Sequence, residues 1–124
     1  MIGYVTLGTN DVARSAAFFD GIAEILGHQR IMESERSVMW GSPGQAAIFC
    51  VCKPFDGKEA SVGNGTMFSF SVSSEDQVDR IHAYALAHNG SDEGQPGPRG
   101  ENIYGAYFRD PDGNKMSAIL IKPA

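Results

Sequence analysis

Apolar and polar positions alternate over Ile2 to Thr9, where Val5 and Leu7 interleave with Tyr4 and Thr6. That period of two predicts a strand. Asn10 or Asp11 then supplies a helix cap. Val12, Ala16, Phe19, Ala23 and Leu26 fall on one helical face, and Gly27 stops the helix. Strands are predicted around Gln29–Ser34, Ser37–Gly41 and Ala46–Lys53, with Ser42-Pro43-Gly44 as a turn between the last two. A connection rich in Gly and Pro covers Lys53 to Gly65. The pattern then restarts. Met67 to Val72 alternates, Ser74-Glu-Asp-Gln77 has the form of a capping box, and Val78, Ile81, Ala85 and Leu86 make a second helical stripe. Asn89-Gly90 closes that helix. A Gly/Pro-rich segment, Gly94 to Gly100, leads to a final hairpin whose turn is Asp110 to Asn114.

The order strand, helix, strands is therefore written twice. The first module covers about residues 1–56 and the second about 64–124, within one domain over 1–124. The predicted class is α+β, two βαβββ modules giving an open, curved, mixed sheet of eight strands around a cleft.

Several motifs carry a family resemblance. Tyr104-Gly-Ala-Tyr107 leads into Phe108-Arg-Asp-Pro-Asp-Gly-Asn114, and this string resembles the last hairpin of the vicinal oxygen chelate superfamily of glyoxalase I, extradiol dioxygenases and bleomycin-resistance proteins. The run from Tyr4 to Phe19 is similar to that family's opening strand followed by Asp-Leu-x-Arg-Ser-x-x-Phe-Tyr. Lys53-Pro-Phe-Asp-Gly57, Gly63-Asn-Gly-Thr66 and Tyr104-Gly-Ala-Tyr107 resemble a glyoxalase-like, or lactoylglutathione-lyase-like, group within it.

The resemblance implies that the cleft is the active site. It also implies four metal positions, on the first and fourth strands of each module. These fall on Tyr4, Phe49, Met67 and Ser117, where metal-using relatives carry His or Gln, Glu, His and Glu. Carboxylate oxygen and imidazole nitrogen suit hard and borderline divalent ions, whereas Phe offers no donor and a thioether prefers softer ions. The expectation is no metal or other cofactor.

Strand alternation assigns faces independently of family. Val5, Leu7, Phe68, Phe70 and Val72 should face the helices. Tyr4, Thr6, Met67 and Ser69 should face the other way, and Phe49 and Ser117 are placed with them. Trp40 is a candidate wall of the same cleft, and one of Tyr104 and Tyr107 should reach it. Arg99, on the Gly94–Gly100 loop, could close over an acidic ligand. Mostly apolar lining with a few polar anchors suits a small, flat or amphipathic molecule.

The leading functional reading is a glyoxalase/bleomycin-resistance-like protein that binds such a molecule without the usual divalent metal. The alternatives are a metal-dependent lyase or isomerase of glyoxalase type, and a metal-free enzyme using Tyr4 or Lys53 for proton transfer. His28, His82 and His88 have structural explanations, and no catalytic triad is readable. Asp110 and Asp112 read as turn residues rather than a Ca²⁺ loop.

Composition narrows the partners. Across 124 residues the hydrophobic share is 42% and the charged share 20%, as in a globular domain. A net charge of −5 and a pI near 5.0 argue against nucleic acid. No apolar run approaches a membrane span, no signal peptide is evident, and Cys50 and Cys52 are too close in sequence for an ordinary disulfide. These features point to the cytoplasm. The resemblance further implies a homodimer, with Ile2, Val5, Ile119 and Ile121 suited to a seam.

Overall fold

The computed structural model describes residues 1–42, 44 and 47–123. Its contacts divide the chain into two compact units, Met1–Val62 and Gly63–Ala124. Each contains one helix and four strands. The Pro43 part of the Ser42–Gly44 turn and the Ala46 end of the strand expected from Ala46 to Lys53 lie outside the described residues.

The first unit runs β1 (Tyr4–Gly8), α1 (Val12–Leu26), β2 (Gln29–Glu33), β3 (Ser37–Gly41) and β4 (Ile48–Cys52). Its sheet order is β1-β4-β3-β2, with β1 parallel to β4 and the other pairs antiparallel. Asp11 caps α1 by accepting from the Arg14 amide, which satisfies one of the unpaired N–H groups of the first turn. At the other end Gly27 takes φ 81°, a left-handed geometry that costs glycine little. One face of α1 buries Phe19, Ile22 and Ala23 against Val38, Trp40 and Val51 of the sheet.

The second unit runs β5 (Phe68–Ser71), α2 (Glu75–Ala87), β6 (Ser91–Pro98), β7 (Ile103–Arg109) and β8 (Lys115–Ile121). The order is β5-β8-β7-β6, again with one parallel pair, β5 and β8. The capping box forms in modified shape. Ser74 accepts from the Gln77 amide, but the Gln77 side chain reaches back to the amide of Ser73 rather than Ser74. Val78, Ile81 and Ala85 pack on Ala106, Phe108, Met116 and Ala118, all of them fully buried.

The eight strands are thus hydrogen-bonded as two four-stranded sheets, one per module. One element differs from expectation. Residues 91–98 form an edge strand rather than a loop. Pro96 and Pro98 are tolerated because an edge strand leaves half its amides without a ladder partner. Register breaks between Asp92 and Gly94, and again between Gly94 and Gly97, absorb the irregular sequence. Arg99 therefore starts a tight connection, its amide bonded to the Ile103 carbonyl, and is not part of a mobile-looking lid.

The last turn is built by Asp110. Its carboxylate accepts from the amides of Asp112 and Asn114 and from the Asn114 side chain. Burial pushes the Asp110 carboxyl up, while those hydrogen bonds oppose the shift. The Asp-Pro-Asp-Gly-Asn string therefore serves as turn chemistry. Among the described residues no helix is long and apolar enough to cross a membrane.

Candidate functional site

In each unit the helix covers one face of the sheet, and the opposite face carries the candidate chemistry. On the second sheet, register places Ser69, Ser117, Tyr107 and Gly94 in one row across β5, β8, β7 and β6. The Ser69 and Ser117 hydroxyls are hydrogen-bonded to each other. Ser117 is 1% exposed, whereas Ser69 is open to solvent.

Tyr107 lies between two cations. The Arg99 guanidinium carbon is 5.5 Å and the Lys115 ammonium 5.9 Å from its ring centroid, both within cation–π range. Gly94 makes this arrangement fit. A Cβ there would stand 2.9 Å from Tyr107 Cδ2 and 3.4 Å from an Arg99 terminal nitrogen. Arg99 is anchored by donating to the Gln95 and Pro98 carbonyls, so its head is held across the glycines of β6. Beyond it Arg109 pairs with Glu93 and donates to the Gly113 carbonyl. The hydrogen bond that Arg109 donates to Glu93, and the charge of Arg109, hold the Glu93 carboxyl below its usual range.

The question left between the two tyrosines is answered by register. Tyr104 turns to the helix face and donates to the Asp79 carboxylate of α2, which raises its hydroxyl pKa. Tyr107 takes the open face. Tyr104 is accordingly removed from the candidate lining.

On the first sheet, Tyr4 and Thr6 occupy the open face and are exposed, as alternation requires. Phe49 and Trp40 do not join them. The Phe49 ring centroid is 4.6 Å from that of Phe19 on α1 and 5.6 Å from that of Trp40. Trp40 is 3% exposed, and its indole N–H donates to Asp20 of α1 at 2.9 Å. Both assignments to the open face are therefore corrected to the helix face. The open-face residues of β4 are instead Ile48, Cys50 and Cys52, opposite Tyr4, Thr6 and Gly8 of β1. With Phe49 on the open face, alternation would turn Cys50 and Cys52 toward the helix; with Phe49 on the helix face they lie on the open face instead.

Strand parity with Phe49 would let the Lys53 stem run along the rim of the cleft; Lys53 is exposed just past β4, beside a shallow hollow lined by Thr9, Asn10, Pro54, Gly57, Lys58 and Glu59. Met67 is exposed immediately before β5. The histidines are held structurally. His28 Nδ1 contacts Ser42 Oγ at 2.8 Å, His82 Nε2 meets Asp92 at 2.9 Å, and His88 bonds the Tyr84 carbonyl.

The fold matches a known group. A sequence model described as the glyoxalase/bleomycin resistance protein/dioxygenase superfamily matches residues 1–117. The chain belongs to that superfamily. A crystal structure of a glyoxalase/bleomycin resistance protein from Albidiferax ferrireducens T118 is 35% identical, with 99% of each chain covered and a TM-score of 0.90. A glyoxalase-related enzyme from Fulvimarina pelagi is 17% identical over 97% of this chain and 87% of its own, with a TM-score of 0.74. A lactoylglutathione lyase from Agrobacterium tumefaciens is 18% identical over 97% and 92%, with a TM-score of 0.69. The last two share the fold. No curated protein sequence matches.

The four positions that the family resemblance offers to a metal can be tested residue by residue. Of the four positions, Phe49 has no donor and is packed against Phe19 and Trp40. The Ser117 hydroxyl is engaged by Ser69, Tyr4 is a phenol, and Met67 is a thioether. Among the described residues no three His, Cys, Asp or Glu side chains converge. This donor set does not fit a hard or borderline divalent ion.

Proposed function

We propose that this superfamily member binds a small, flat, acidic molecule on the open face of its second sheet, without the divalent metal its metal-using relatives employ. The observation that carries the reading is the placement of Tyr107 between Arg99 and Lys115, beside the Ser69–Ser117 hydroxyl pair. The small side chains of Ser69 and Ser117 beside Tyr107 leave a low floor on which a planar group can lie. Tyr107 offers a ring edge for stacking, the two cations attract a carboxylate, and the hydroxyls orient a second polar atom. In this reading these groups bind and orient the ligand.

The assembly that supports such a site in this reading is a two-fold homodimer. Ile2 and Ile121 are 56% and 69% exposed, a cost that a partner copy would relieve. Sedimentation at micromolar concentration should report twice 13.3 kDa, and a monomer would remove the dimer from the account.

Elemental analysis tests the metal half of the reading. Protein incubated with Ni, Zn, Fe and Mn salts and then dialysed should retain well under one such ion per chain. A full equivalent of any of them, lost again in Ser117→Ala, would overturn it.

A further inference from the structure

The first sheet carries an array that the reading above leaves unused. Register sets Thr6, Cys50, Met39 and Met32 side by side across β1, β4, β3 and β2. Cys52 lies two residues along β4 from Cys50, on the same face. The helix face of these strands is taken by Val38, Trp40, Phe49 and Val51, so the sulfur atoms share the other side. Met39 is half-buried and Cys50 is 3% exposed.

We propose that Cys50, Cys52 and Met39 form a binding site for a soft monovalent cation, with Cu(I) as the ion of biological relevance. Directly paired residues on adjacent strands have Cβ atoms about 5 Å apart. Residues two apart on one strand are separated by about 6.6 Å. Each sulfur extends from its Cβ, and Met adds two further rotatable bonds, so three sulfurs can converge on one ion at metal–sulfur distances of about 2.3 Å.

The same spacing works against oxidation of the pair to a disulfide. That bond needs Cβ atoms about 3.8 Å apart, and neighbouring same-face strand positions hold them farther off. Both cysteines are free. The thiols therefore remain available as ligands.

Donor softness selects the ion. Two thiolates and a thioether match Cu(I), which is content with two or three sulfur ligands. Zinc would require four ligands of N, S or carboxylate type, and no third His, Cys, Asp or Glu joins the two cysteines among the described residues. Burial pushes the Cys50 thiol up and nearby Cys52 adds to that shift, while a hydrogen bond from Thr6 works in the opposite direction. A bound cation relieves both unfavourable effects, because it neutralises the buried thiolate and its neighbour together.

The test is an anaerobic titration of the reduced full chain with Cu(I), in competition with bicinchoninate. The expected result is one Cu(I) per chain with an ultraviolet thiolate-to-copper charge-transfer band. Cys52→Ser should abolish the band. Met39→Leu should weaken binding by at least about tenfold, with circular dichroism unchanged. Cys50→Ser should behave as Cys52→Ser; should it unfold, the other two variants decide the matter. Failure to take up one equivalent, or equal uptake by the Cys52→Ser and Met39→Leu proteins, would overturn the site. So would stoichiometric Zn(II) binding at the same affinity. None of these readouts involves Ser117, Tyr107 or an organic ligand, so the outcome is independent of the function proposed for the second sheet.

Discussion

Ser69 and Ser117 stand opposite each other on the parallel strands β5 and β8, and their hydroxyls are hydrogen-bonded on the open face of the second sheet. The family resemblance implies a metal-binding Glu at the Ser117 position in metal-using relatives. Two serine hydroxyls in this place satisfy each other without a cation. A serine where a Glu would stand also carries no charge, which in the proposed reading would spare a ligand carboxylate repulsion as it approaches Arg99 and Lys115.

Ser69 is the member of the pair open to solvent, so it can accept a large side chain without disturbing the core. Ser69→Trp should cover the floor beside Tyr107 and abolish binding of naphthoate, a flat aromatic acid, in calorimetry. Its melting temperature should fall, because the buried Ser117 hydroxyl loses its partner at a cost of about 1–3 kcal/mol, while circular dichroism should match the parent. Undiminished naphthoate binding by this variant would move the site elsewhere.

Arg99 supplies charge rather than shape in this account. Arg99→Ala should weaken naphthoate by about tenfold, in keeping with loss of one charge-assisted contact of about 1.5–3 kcal/mol, partly screened by solvent. The neutral analogue naphthamide should change much less. Equal losses for both compounds would show that Arg99 acts through packing against Tyr107 alone.

Phe49 tests the corrected face assignment. On the helix face it touches Phe19 and Trp40, so Phe49→Glu would bury an unpaired carboxylate in an aromatic cluster. The expected loss of stability is about 3–5 kcal/mol, read by urea denaturation. A variant as stable as the parent would return Phe49 to the open face.

Asp20 ties α1 to two strands, accepting from Arg30 of β2 and from the Trp40 indole of β3. The Arg30 hydrogen bond is the main cause that holds its carboxyl below the ordinary 3.8. A depressed folded value means that ionised Asp20 stabilises the native state above that ordinary pKa. The contribution is lost as pH falls through the lower folded value. Its side chain is 44% exposed, so solvent tempers the effect. Asp20→Asn should flatten the acid limb of the stability curve, measured by denaturant midpoints between neutral and acidic pH. An unchanged limb would assign acid sensitivity to other carboxylates.

Much of the fold could be read from hydrophobic period. Val5 and Leu7, then Phe68 and Phe70, alternate cleanly with polar neighbours, and their faces follow directly. The helix caps at Asp11 and Ser74 were legible for the same local reason. β4 was not. Ile48-Phe-Cys-Val-Cys52 is apolar at every position, so alternation gives no parity there, and Phe49 and the cysteines exchanged faces. Trp40 was misplaced because its partner, Asp20, is twenty residues away and no local signal announces the hydrogen bond. β6 was hidden by its glycines and prolines, which edge strands accept and central strands do not. Tyr104 and Tyr107 had opposite faces from spacing alone, but only the register of β7 against β8 says which is which.

The central claim is that acidic ligand binding needs no divalent metal. The most direct measurement is a calorimetric titration of naphthoate into the purified protein, with and without excess EDTA. The account predicts saturable binding with the same affinity in both conditions. Absence of binding, or binding that EDTA abolishes and an added divalent metal restores, would contradict it.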